Sequence, residues 1–119
     1  MNSSDVQENL RDNYLSPMNY GKPAWEPDRV VNVENPTCGD SLTLYVKLDG
    51  NTITDISFTA EGCSIAIATA SLVYEQLKGK RLTDGLISES ELFELLGFTP
   101  TTSRKNCALL SLSAIQKLV

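Results

Sequence analysis

Between residues 41 and 60 apolar and polar side chains alternate almost without a break. Leu42, Leu44, Val46 and Leu48 interleave with Ser41, Thr43, Tyr45 and Lys47, the period of two expected of a half-buried strand. Asp49-Gly50-Asn51 is a hairpin turn signal, and Thr52 to Ala60 returns as a strand with Ile56, Phe58 and Ala60 on one face. Upstream, Asp28 to Glu34 supplies a first strand through Val30, Val31 and Val33. Three strands in succession predict an antiparallel meander with one apolar face.

The period then changes. Glu61-Gly62 breaks the last strand, and Cys63 to Lys78 sets Ala66, Ala70, Val73 and Leu77 in a helical stripe widened by Ile65 and Leu72. Gly79 is the expected C-terminal cap, and Lys78, Lys80 and Arg81 beside it form a solvated cationic helix end. Ser88-Glu89-Ser90-Glu91 fits a capping box for a short helix through Leu92, Phe93, Leu95 and Leu96, stopped by Gly97. A last helix from about Ser103 runs to the end and buries Leu110, Ala114, Ile115 and Leu118.

At the other end, residues 3 to 15 form a short polar helix. Ser4 is its cap, Val6, Leu10, Tyr14 and Leu15 are its apolar positions, and Ser16-Pro17 ends it. Pro17 to Pro27, with three prolines and Gly21, is a loop whose order the sequence leaves open. Trp25 within it is either packed over the core edge or a partner contact. The fold class is α+β, a three-stranded antiparallel sheet with helices packed on one face. An N-terminal helix and loop occupy 1–27 and a single α+β domain occupies 28–119.

Composition narrows the chemistry. The 119 residues carry a net charge of −5, which argues against nucleic acid as a partner. No apolar run approaches the roughly 20 residues that cross a bilayer, so no membrane partner is expected. Met1 to Asp12 has neither a signal peptide's apolar segment nor a transit peptide's Arg-rich bias, and the chain is read as cytoplasmic. The three cysteines are odd in number and make a disulfide framework a poor reading. With no histidine at all, Ser-His-Asp and Cys-His catalysis and imidazole ligation drop out together.

What remains gathers at three places. In Asn35-Pro36-Thr37-Cys38-Gly39-Asp40, Pro36 excludes a helix and Gly39 permits a tight turn between a thiol and a carboxylate. Cys63 follows Gly62 at a strand-to-helix junction, where free N–H groups and the helix dipole favour a thiolate. Cys107 falls near the start of the last helix, with Arg104 and Lys105 just before it to lower its pKa. Three thiolates and one oxygen suit a four-coordinate zinc site or a small iron–sulfur cluster. On spacing alone, three cysteines without a CxxC pair read more often as buried core residues than as ligands.

The same residues resemble a known family. Asn35-Pro-Thr-Cys-Gly-Asp40, Glu61-Gly-Cys-Ser-Ile65, Ala68-Thr-Ala-Ser71 and Lys78-Gly-Lys80 look like the iron–sulfur cluster assembly scaffolds of the IscU, SufU and NifU N-terminal type. Tyr14-Leu-Ser-Pro17 with Asn19-Tyr-Gly21 is similar to that family's N-terminal signature, and Cys107-Ala-Leu-Leu to its third cysteine motif. The resemblance implies Cys38, Asp40, Cys63 and Cys107 as ligands of zinc or of a [2Fe–2S] cluster at one site. Where IscU-type members carry a His before the third cysteine, this chain has Asn106. SufU-type members share Arg104 and Gly-Cys-Ser-Ile, but hold an insertion before the third cysteine that is missing here.

The implied function is a scaffold, not an enzyme in its own right. It would build a labile [2Fe–2S] cluster from iron and sulfur delivered by a cysteine desulfurase, and pass it to apo-proteins. The alternative is a zinc-bound, SufU-type sulfurtransferase partner of the desulfurase. In either, Cys107 is the expected persulfide acceptor, with Arg104 and Lys105 assisting. The Leu-Pro-Pro-Val-Lys segment read by a dedicated Hsp70-type chaperone is replaced by Phe98-Thr-Pro-Thr-Thr-Ser-Arg-Lys, so that partner is not expected.

Overall fold

The structure is a computed structural model that describes residues 3–35, 39–85 and 87–118. Three strands, β1 (Arg29–Asn35), β2 (Asp40–Asp49) and β3 (Thr52–Glu61), form one antiparallel sheet in the order β1-β2-β3. Helices α1 (Ser3–Leu15), α2 (Ser64–Leu77), α3 (Glu89–Leu96) and α4 (Thr102–Leu118) complete it, with a short 3-10 turn at Leu82–Gly85. No helix of the described residues is long and apolar enough to cross a membrane.

The alternation read from the sequence sets the buried face. Val33 pairs with Leu42 and Leu42 with Ala60, while Val31, Leu44 and Phe58 line up in the next such row; Leu42, Leu44, Val46, Ile56 and Phe58 are all buried. A bulge at Lys47/Leu48 pairs Leu48 with Ile53 but Lys47 with Asp55. Thr54 is thus the extra residue, and Ile53 joins Ile56 on the core side although three positions separate them. Val30 lies on the opposite face and is exposed, so it is not one of the core valines. The pleat, not hydrophobicity, decides between Val30 and Val31.

α2 is buried on nearly every side, from Ala66 through Ala70 and Tyr74 to Leu77, because the sheet, α1, α3 and α4 all pack around it. Its small residues allow that approach, as the stripe predicts. Phe58 and Tyr74 meet edge to face at 5.5 Å, and the Tyr74 hydroxyl donates to the Ser111 carbonyl at 2.9 Å. α2 ends differently from the sequence expectation. Lys78, not Gly79, is its cap, in an extended conformation, and the Gly79 N–H donates across to the Ile53 carbonyl. α3 keeps its expected capping box between Ser88 and Glu91 and its left-handed Gly97.

The N-terminal stretch is tied down. Ser71 Oγ on α2 accepts from the Met18 N–H at 2.8 Å and donates to Asn13 Oδ1 at 2.6 Å. Asn19 and Gly21 exchange backbone hydrogen bonds with Phe58, and Asn19 Nδ2 reaches Glu75. Among the described side chains, the apolar positions expected to seat α1 do so only at Leu10; Tyr14 and Leu15 are exposed and Asn13 is buried in their place. The side chains of Ser4 and Val6 lie outside the described ones. Trp25 is partly buried.

Candidate metal and thiol site

The site grows from the first residue of β2. Gly39, in a left-handed conformation at φ 74°, returns its N–H to the Asn35 carbonyl and sets Asp40 opposite Asn35 at the start of the pairing. Alternation then puts Asp40 on the same face as Leu42 and Leu44, at the end of the core, where it is 2% exposed. A carboxylate there needs partners. Asp40 Oδ1 accepts the backbone N–H of Cys63 at 2.8 Å, the carboxylate lies against the Cys107 thiol, and Oδ2, also buried, finds no N–H or O–H donor among the described residues.

Cys63 is the N-cap of α2. Its amide is one of the donors that a helix start leaves without an intrahelical acceptor, and Asp40 supplies that acceptor from across the fold. The negative carboxylate also lies where the helix dipole favours it. On its other side, the Cys63 sulfur accepts a hydrogen bond from Arg104 Nη1 at 2.7 Å. α4 begins at Thr102, so Cys107 sits in its second turn, buried, past the reach of the helix-start effect expected for it. Burial pushes the Cys107 thiol well above its usual range, and the adjoining Asp40 and Cys63 push it the same way.

The structure therefore brings Asp40, Cys63 and Cys107 together from three elements. Cys38, with Pro36 and Thr37, lies outside the described residues. Among the described residues no three of His, Cys, Asp and Glu are already set to hold a metal ion. The cations are distributed otherwise than the sequence places them. Arg104 serves Cys63, and Lys105 pairs with Glu89 at 2.6 Å. The cation expected beside Cys107 is thus found on the Cys63 sulfur. Two features of the site were missed in the sequence: the Asp40–Cys63 bond and the Arg104–Cys63 contact. The Gly62-Cys63 junction was the available signal for the first; nothing local signals the second.

A thiol pair and a buried carboxylate oxygen without a hydrogen-bond donor among the described residues suit a thiolate-rich metal or cluster. The comparisons with known proteins agree. The model of the NifU-like N-terminal domain matches residues 5–119. The chain belongs to that family. An iron–sulfur cluster assembly scaffold protein IscU of Archaeoglobus fulgidus is 38% identical over 109 residues, covering 91% of this chain and 70% of the relative. A zinc-dependent sulfurtransferase SufU of Bacillus subtilis is 35% identical over 127 residues, covering 91% and 84%. With equal coverage of this NifU-like domain, the longer alignment to SufU must open a gap in it, and the one to IscU need not. A crystal structure of a SUF-system protein from Fervidobacterium islandicum shares the fold, with a TM-score of 0.80 at 24% identity over 98% of both chains.

Proposed function

We propose that this NifU-like domain is a non-enzymatic scaffold on which an iron–sulfur cluster is assembled and from which it is handed on. Cys38, Asp40, Cys63 and Cys107 are the proposed donor set. The observation that carries the reading is the buried Asp40 carboxylate set against the Cys63 and Cys107 thiols, with Oδ2 lacking an N–H or O–H donor among the described residues. A carboxylate oxygen held out of water is costly unless a cation or donor completes it, and thiolates next to it supply the rest of a mixed S/O set. Thiolates hold iron firmly, while a single carboxylate oxygen exchanges more readily, which suits cargo that must leave. The proposed partners are a cysteine desulfurase and apo-proteins that take the cluster, in the cytoplasm where thiols stay reduced.

Sulfur enters most readily at Cys63 among the described thiols. Its thiolate attacks the outer sulfur of the desulfurase persulfide. A new sulfur–sulfur bond forms, the old one breaks, and the desulfurase cysteine leaves as a thiolate. Arg104 donates to the Cys63 sulfur and offsets charge as the anionic persulfide forms.

The Arg104–Cys63 contact also favours a second reading, a zinc-bound sulfurtransferase, as the relative from Bacillus subtilis is named. Zinc would be held by the same four residues and would keep the thiols deprotonated. Anaerobic incubation with iron, cysteine and a cysteine desulfurase separates the two. Visible absorbance of a cluster that then appears on an apo-ferredoxin supports the scaffold. Bound zinc at one per chain, raised desulfurase turnover and no cluster support the sulfurtransferase.

A further inference from the structure

We infer that Gly62 is a positioning residue for Asp40: lacking a Cβ, it leaves room for the carboxylate to sit with Oδ1 on the Cys63 amide, so that Oδ2 alone is offered to a bound metal. This rests on the reading of Asp40 as a ligand. A Cβ built at Gly62 would lie 2.0 Å from Asp40 Oδ1, 2.8 Å from Cγ and 3.0 Å from Cα. The first two distances are far inside contact and would force the carboxylate to turn or withdraw. The third is to backbone, which cannot swing aside as a flexible side chain would.

The consequence is chemical. With Oδ1 engaged by the Cys63 N–H at 2.8 Å, Asp40 is a one-oxygen donor whose orientation is set from outside the metal site. A hydrogen bond to the ligand's other oxygen fixes its direction in this way. Gly62 also has φ 119°, a conformation L side chains avoid, so strain and crowding must be told apart. Gly21, at φ 120° with nothing within 4 Å of a built Cβ among the described residues, gives the control for strain.

The test is a double-mutant cycle on the whole chain, read by zinc affinity against a chelating dye and by the amide resonance of Cys63 in metal-free protein. Gly62→Ala and Asp40→Ala should each weaken zinc by roughly 10- to 100-fold, and the double variant should be no weaker than either. The Cys63 amide should move in Gly62→Ala to where it lies in Asp40→Ala, and Gly21→Ala should change neither readout. Additive losses, or a Cys63 amide unmoved in Gly62→Ala, would overturn the inference. If Gly62→Ala does not fold, a folded double variant supports the inference, since trimming Asp40 removes the two shortest contacts, and an unfolded one overturns it. If wild type binds no zinc and no iron, the ligand reading fails, while the amide shift still reports whether Gly62 seats Asp40.

Discussion

Arg104 and Cys63, 41 positions apart, meet at 2.7 Å through the guanidinium Nη1 and the thiol sulfur. A charge-assisted hydrogen bond contributes about 1.5–3 kcal/mol, and each 1.4 kcal/mol is roughly a tenfold effect. Arg104→Ala should therefore lower persulfide occupancy at Cys63 by about tenfold or more, measured by mass spectrometry after incubation with a desulfurase and cysteine. Lys105→Ala should leave it unchanged, because Lys105 is spent on an exposed pair with Glu89 that contributes at most about 1 kcal/mol. Sulfur found on Cys107 in both variants and in wild type would return the acceptor role to Cys107.

Asp40→Ala should give a longer-lived cluster that transfers more slowly. The carboxylate oxygen is the proposed exchangeable donor, and its removal takes one negative charge from a site crowded with thiolates. Decay of cluster absorbance in air, wild type against variant, is the measurement. Faster decay in Asp40→Ala would make Asp40 an anchor.

Ser71 is fully buried and joins α2 to both Asn13 and the Met18 amide. Ser71→Ala leaves the Met18 N–H without that acceptor, at a cost of about 1–3 kcal/mol. A lower denaturant midpoint and faster amide exchange at Met18 should appear together. Exchange at Met18 unchanged would mean that the loop is held by the Asn19 and Gly21 bonds to Phe58 alone.

Much of this fold is legible in the sequence, and the reason is local. Leu42, Leu44 and Val46 alternate because a pleat requires it, and Ser88 with Glu91 closes a box within three residues. The site is only half legible. Gly39 and Gly62 announce sharp turns beside Asp40 and Cys63, yet which cation meets which thiol depends on how α4 lies across the sheet end. Arg104 precedes Cys107 in sequence but projects to Cys63, and Lys105 to Glu89. The seating of α1 was hidden for a similar reason: the polar Asn13 is buried by a hydrogen bond to Ser71, a long-range partner that no periodicity encodes.

Tyr74 gives a prediction about pH. Burial raises its phenol far above the usual value near 10. The folded state holds it neutral while the unfolded chain ionises it, so its contribution to stability is complete below about pH 10 and falls as pH rises beyond that. Of the four tyrosines, one should resist spectrophotometric titration until the chain unfolds. Tyr74→Phe should remove that group and cost about 1 kcal/mol through the lost bond to Ser111. Four tyrosines titrating together in folded protein would contradict the burial.

The central claim is that Cys38, Asp40, Cys63 and Cys107 make one site. Cobalt(II) titration of the reduced protein under anaerobic conditions tests it most directly, because thiolate-to-cobalt absorbance counts the sulfurs bound to each ion. The account predicts one ion per chain with three thiolates, a signal reduced by about a third in each of Cys38→Ser, Cys63→Ser and Cys107→Ser, and a shifted ligand-field band with undiminished thiolate absorbance in Asp40→Asn. A wild-type signal that any one cysteine can leave without loss would contradict it.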